Sequence, residues 1–256
     1  MTALPLQGRL LWYELLTTDI TAAEAFYGPV VGWTFAPFPG SPMQYDVISR
    51  PAGVAVGGVM RVPEGMNFPP HWEMYVGVSD IDHTIAQIER LGGKGLSPLM
   101  EMAGVGRFRT MQDPQGAVFA ILQPSSSEER PEAEPVDGDA AWHELYTTDA
   151  PAALDFYTTI FGWTRFDAFD MGPMGKYYMF GRAYPLGGMT TKTPDMAQVP
   201  TNWGLYFRVP DVNAGAERVK AHGGQVLNGP MEVPGGDWIV NCLDPQGAAF
   251  SLHKKA

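Results

Sequence analysis

Two glutamates recur in matching surroundings. Glu14 stands in Trp12-Tyr13-Glu14-Leu15 and Glu144 in Trp142-His143-Glu144-Leu145. A carboxylate among such aromatic and apolar neighbours is costly to bury without a hydrogen bond, a proton or a cation. Each is a candidate pocket-facing acid or base; the alternative is structural, a carboxylate accepting hydrogen bonds from a nearby helix or strand. Strand alternation puts Trp12 on the face of Glu14 and Trp142 on the face of Glu144, with His143 on the opposite face. Trp12, Trp142, Trp72, Trp203 and Trp238 are candidates for an aromatic wall that stacks on a planar ligand, or else for core. Arg107, two residues from Arg109, offers a guanidinium for a ligand carboxylate or enolate; pairing with acidic surface groups is its bland alternative. Trp33 and Trp163 follow glycine at a turn and read as packing residues. Nucleophilic chemistry has no support, because there is no Gly-x-Ser-x-Gly elbow and Cys242 has no evident activating partner. The pairs Gly57-Gly58 and Gly187-Gly188 lack the strand-to-helix context of a phosphate loop, so strand or turn geometry must explain them.

The elements that carry these residues repeat. WYELLTTDITAAEAFYGPVVGWTF, from Trp12, returns as WHELYTTDAPAALDFYTTIFGWTR from Trp142, and Asp113-Pro114-Gln115-Gly116 returns as Asp244-Pro245-Gln246-Gly247. Each copy divides again into two modules of strand, Asp-capped helix and further strands. Leu10 to Thr17 reads as a strand, Asp19 as a cap and Ile20 to Val30 as a helix stopped at Gly32-Trp33. Trp72 to Val78, Asp80 through Leu91 and Gly92-Gly93 repeat that outline. The expected fold is α+β, with four βαβββ modules paired into two domains, 1–124 and 139–256. The acidic Pro/Ser/Glu stretch 125–138 has no apolar periodicity and reads as a linker.

Composition narrows the partners. Against 17 basic residues stand 28 acidic ones, a net charge of −11 that repels nucleic-acid phosphates and anionic membrane surfaces. No apolar run approaches the roughly 20 residues needed to span a bilayer. One cysteine allows no intrachain disulfide. With no secretory pattern at the amino terminus, a cytoplasmic location is expected.

The strand, the Asp-capped helix ending in Phe-Tyr, the Gly-Trp turn and the Asp-Pro-x-Gly hairpin resemble the vicinal oxygen chelate superfamily, the group of glyoxalase I, extradiol dioxygenases and bleomycin-binding proteins. The resemblance covers nearly the whole chain and implies mixed sheets curled around cup-shaped pockets. It also implies where a divalent metal would be held by His, Glu or Gln. The first ligand position falls on Trp12 and Trp142, the second on Glu73 and Gly204, and the third on Ala120 and Ser251. Only Glu73 among these is a usual ligand, so no family-type metal is expected. A displaced site built from Glu14, Glu73 and His71 is the alternative, and in the second copy His253 with Glu144.

The expected function is binding of a small, partly aromatic or apolar molecule in a cup without the usual metal, and no cofactor. The rival is a lyase, isomerase or oxygenase of the glyoxalase or dioxygenase type, with a displaced divalent metal or metal-free acid–base catalysis through Glu14 or Glu144. A third reading is an interaction protein whose cups are filled by their own side chains. Pairing of the two domains within the chain is expected from the duplication.

Overall fold

The computed structural model describes residues 6–39, 41, 43–66, 68–126 and 133–256. Residues 127–132 of the expected linker lie outside the described residues.

Four modules follow one another. The first comprises β1 (Leu10–Thr17), α1 (Ile20–Val31), β2 (Thr34–Pro37), β3 (Tyr45–Ser49) and β4 (Ala55–Arg61). The second comprises β5 (His71–Gly77), α2 (Ile81–Arg90), β6 (Lys94–Gly95), β7 (Met100–Met102), β8 (Gly106–Gln112) and β9 (Val118–Pro124). The third comprises β10 (Ala140–Thr147), α3 (Ala150–Phe161), β11 (Thr164–Asp170), β12 (Lys176–Gly181) and β13 (Pro185–Thr191). The fourth comprises β14 (Asn202–Arg208), α4 (Val212–Ala221), β15 (Gln225–Glu232), β16 (Trp238–Leu243) and β17 (Ala249–Lys254). The strands form two mixed sheets, ordered β2-β3-β4-β1-β5-β9-β8-β6, with β7 on β8, and β11-β12-β13-β10-β14-β17-β16-β15. Pairs that flank a helix in sequence, such as β1 with β4 and β10 with β13, are parallel, and the hairpins are antiparallel. The architecture is the α+β one expected.

Local chemistry explains the boundaries. Asp19 and Asp149 each accept a backbone N–H three residues on, Ala22 and Ala152 at 3.0 Å, satisfying a helix-start donor that would otherwise be orphaned. Gly32 and Gly162 end those helices in the left-handed region, at φ 91° and 67°, which costs glycine nothing.

Packing groups the chain into two compact units, and each draws on both sequence copies. One unit comprises Met1–Leu11, Met74–Ala133 and His143–Trp203; the other comprises Trp12–Glu73, Glu134–Trp142 and Gly204–Ala256. In the second of these, the Phe207 ring of β14 lies 4.7 Å from Trp33 and 4.8 Å from Trp72, and Phe250 of β17 lies 5.2 Å from Tyr27. The Trp33 indole N–H donates to the Gly138 carbonyl at 2.8 Å. The first unit repeats the plan: Phe119 lies 5.4 Å from Tyr157, Trp203 lies 5.2 Å from Tyr157, and Trp163 donates to the Gly8 carbonyl at 2.8 Å. Burying such rings stabilises each core by roughly 1.5–3 kcal/mol per side chain.

A polar chain threads each core. Asp244 accepts the Gln246 and Ala248 backbone N–H groups on Oδ1, at 2.9 and 2.8 Å, and the Tyr27 hydroxyl on Oδ2 at 3.1 Å. Tyr27 in turn accepts the Trp72 indole N–H at 2.9 Å. In the first unit, Asp113 takes Gln115, Ala117 and Tyr157, and Tyr157 takes Trp203 at 3.0 Å. The Phe-Tyr helix end, the strand tryptophan and the aspartate of the Asp-Pro-Gln-Gly turn thus form one hydrogen-bonded structure.

Candidate functional site

The strand faces opposite the helices carry the candidate chemistry. On β1, Trp12 and Glu14 share that face, and Glu14 lies beside Gly58 of β4. The Trp12 indole N–H donates to the Tyr45 hydroxyl at 2.8 Å, and Tyr45 donates to the Glu14 carboxylate. Burial first, and the Glu14 charge second, push the Tyr45 phenol well above its ordinary pKa, so it stays a proton donor at all ordinary pH. Glu14 is 7% exposed and Glu73 5%. A Cβ on Gly58 would overlap the Tyr45 ring and hydroxyl, and one on Gly188 would overlap the Tyr177 ring. Gly58 and Gly188 therefore make room for a tyrosine beside each glutamate, while Gly57 and Gly187 let the neighbouring strand's Tyr13 and His143 carbonyls come close. Gly58→Ala is expected to displace Tyr45 and cost about 1–3 kcal/mol, read by thermal unfolding; a loss below about 0.5 kcal/mol would mean that the ring is not held there.

In the second copy Glu144 lies beside Gly188, and Tyr146 donates to Glu144 Oε2 at 2.5 Å. His143 faces the other way, as alternation predicts, with Nδ1 at 2.9 Å from the Leu186 carbonyl, and burial lowers its pKa to about 4.

The structure separates the other candidates. Trp72 and Trp203 sit in the polar chains of the two cores, on the strand faces opposite Glu73 and Gly204. Arg107 forms a two-pronged pair with Asp82 of α2, at 2.7 and 2.9 Å. That places it away from the face of Thr110 and Ala120, which are paired across β8 and β9. Trp238 shares its face with buried Val240, while Asn241 and Ser251 pair on the other. Trp72 and Trp203 are buried in the cores, Arg107 forms a surface ion pair and Trp238 is half-buried, while Trp12 and Trp142 keep the faces of the two glutamates.

The residues present do not fit the family's metal centre. At its first position the Trp12 N–H is a donor already bonded to Tyr45, and indole has no lone pair for a metal. At the third, Ala120 offers a methyl group, and the Ser251 hydroxyl accepts the Asn241 amide at 2.8 Å. Among the described residues no three His, Cys, Asp or Glu side chains converge. Glu14, Glu73 and His71 thus do not come together as a displaced set among the described residues; the His71 ring abuts Phe68, with Nδ1 2.9 Å from the Pro69 carbonyl. His253 bonds Asp237 through Nε2 at 2.7 Å.

Sequence reasoning missed Tyr45, Tyr177 and Tyr146. A signal existed: a glycine in mid-strand marks a close approach by another group. The approaching Tyr45 or Tyr177 lies on the neighbouring strand, across a hairpin whose spacing differs between the copies.

Comparison with known proteins agrees with the geometry. The glyoxalase-like domain family matches residues 13–122, and the glyoxalase/bleomycin resistance protein/dioxygenase superfamily matches residues 140–252. CFP32 of Mycobacterium tuberculosis, described as a candidate glyoxylase, is 32% identical over 98% of this chain and 96% of its own. The anthracycline biosynthesis protein DnrV of Streptomyces peucetius is 30% identical over 96% of this chain and 92% of its own. Among solved structures, the Mn(II)-bound glyoxalase of Novosphingobium aromaticivorans has a TM-score of 0.66 at 16% identity, covering 97% of this chain and 82% of that one. The 2,3-dioxygenase LapB of Pseudomonas sp. KL28 has a TM-score of 0.68 at 11% identity, covering 98% and 94%. These two share the fold. With two matched domains and relatives similar along their whole length, the chain belongs to the glyoxalase/bleomycin resistance protein/dioxygenase superfamily.

Proposed function

We propose that this protein binds a small planar aromatic molecule bearing hydroxyl or carbonyl groups, on the helix-free face of the first copy, and that it does so without the family's metal. The observation that carries this reading is the relay from Trp12 through Tyr45 to Glu14. An indole supplies a stacking surface, while a phenol and a carboxylate supply a donor and an acceptor that fix a ligand's orientation. Two relatives named for anthracycline biosynthesis support the ligand class, since anthracyclines are planar hydroxylated quinones. The test is titration of the full-length protein with 1,4-dihydroxyanthraquinone in the presence of EDTA, followed by tryptophan fluorescence. Saturable binding is expected, weakened about tenfold or more by Trp12→Ala and less by Trp142→Ala, with Glu14→Gln altering its pH dependence. Absence of binding, binding that needs added metal, or equal binding by all three variants would reject the reading.

One observation favours a second reading. A phenol O–H held against a carboxylate is an acid–base pair, and CFP32 is described as a candidate glyoxylase. On that reading Glu14→Gln abolishes metal-free turnover of the methylglyoxal hemithioacetal, and turnover retained by this variant counts against it.

A further inference from the structure

The second copy does not repeat the first on the helix-free face. Leu16 and Met60 flank the first glutamate–glycine pair, whereas Tyr146 and Thr190 occupy those places in the second, joined across β10 and β13. Tyr177 pairs with Thr190 from β12 and crosses over Gly188, beside Glu144. The patch therefore holds one carboxylate, three hydroxyls and two aromatic rings on three adjacent strands of one compact unit. Glu14 and Leu16 are buried; Glu144, Tyr146, Tyr177 and Thr190 are all partly exposed.

Each part has a chemical consequence. The 2.5 Å bond from Tyr146 fixes one oxygen of Glu144. Gly188 lets the Tyr177 ring come down onto the sheet, where a side chain would have held it away. A carboxylate flanked by phenol rings attracts a cation twice, through its charge and through the negative faces of the rings, and repels an anion. Hydroxyls of Tyr146, Tyr177 and Thr190 can accept the N–H groups of such a cation.

We propose that this face of the second copy is a binding site for an aliphatic ammonium group, chemically distinct from the aromatic site of the first copy. The two proposals use different residues, so loss of quinone binding leaves this one standing.

The test uses the full-length protein with tyrosine side chains labelled for NMR. Cyclohexylammonium is titrated in parallel with cyclohexanol, its neutral counterpart of equal size. Saturable shifts at Tyr146 and Tyr177 are expected with the ammonium and not with the alcohol. Glu144→Gln should weaken binding about tenfold or more, and Tyr177→Ala about threefold. Should Glu144→Gln fold poorly, Thr190→Val, which removes one accepting hydroxyl and keeps the carboxylate, should weaken binding about threefold. No saturable shift, equal binding of the alcohol, or undiminished binding by a folded Glu144→Gln or Thr190→Val variant overturns the proposal.

Discussion

Asp244→Ala is expected to destabilise the protein by about 4 kcal/mol, because it orphans one buried and one part-buried backbone N–H group and the buried Tyr27 hydroxyl at once. Tyr27→Phe removes one link and is expected to cost about 1–2 kcal/mol. Burial raises the Asp244 pKa despite its donors, so the carboxylate has lost more hydration than they return. Removing the whole group recovers part of that cost, which holds the expected loss below what three separate bonds would suggest. Urea unfolding followed by tryptophan fluorescence measures each variant. The double variant should fall short of additivity by about 1 kcal/mol, since both changes break the same chain. Asp113→Ala should behave alike through Tyr157. Losses below about 1 kcal/mol for both aspartate variants would show that the turns hold without them.

The second large effect is on acid stability. Burial lowers the pKa of His143 from 6.5 to about 4, with its hydrogen bond to the Leu186 carbonyl acting the other way. Between those values the unfolded chain binds a proton that the folded chain refuses. The stability due to neutral His143 is therefore complete above about pH 6.5 and is lost as pH falls to about 4, by about 3 kcal/mol in all. His71 and His253 are also lowered by burial and act in the same direction. Asp113 and Asp244, raised by burial, act in the opposite direction as pH falls through the carboxylate range. His143→Gln isolates the one group: its unfolding free energy, compared with the wild type at each pH, should gain on the wild type by about 3 kcal/mol from pH 7 to 4. A constant difference across that range would mean that His143 titrates normally in the fold.

Much of this architecture was legible in the chain itself. The Asp caps, the Gly stops and the period-2 strands are local signals, so Ile20–Val31 and Leu10–Thr17 emerge within a residue of where they were expected. The face of His143, too, follows from alternation alone. Long-range partners were not legible. Nothing near Tyr27 distinguishes Asp244 from Asp113, since the two turns have the same sequence, and only packing decides that each helix end meets the turn of the other copy. Trp72 and Trp203 fit a ligand wall or a core equally well in the sequence, because an indole reads the same in either, and the structure places both in cores. The tyrosines of the site escaped notice because a glycine announces that something approaches without saying what. Arg107 had two readings, and Asp82 at the start of α2 supplied the surface partner.

The pairing of Tyr27 with Asp244 spans 217 positions, which sets a clock on synthesis. At about 5–20 residues per second, the nascent chain waits roughly 10 to 40 s between making the tyrosine and making its acceptor. For most of that interval Phe26, Tyr27 and Trp33, joined by Trp72, lack the Phe207 ring that will cover them, and Phe250 follows only after Asp244. The ribosome thus holds out an aromatic surface until the last module emerges. A chain terminated before the last module lacks both covering rings, so it is expected to expose this surface and to aggregate or be degraded rather than fold.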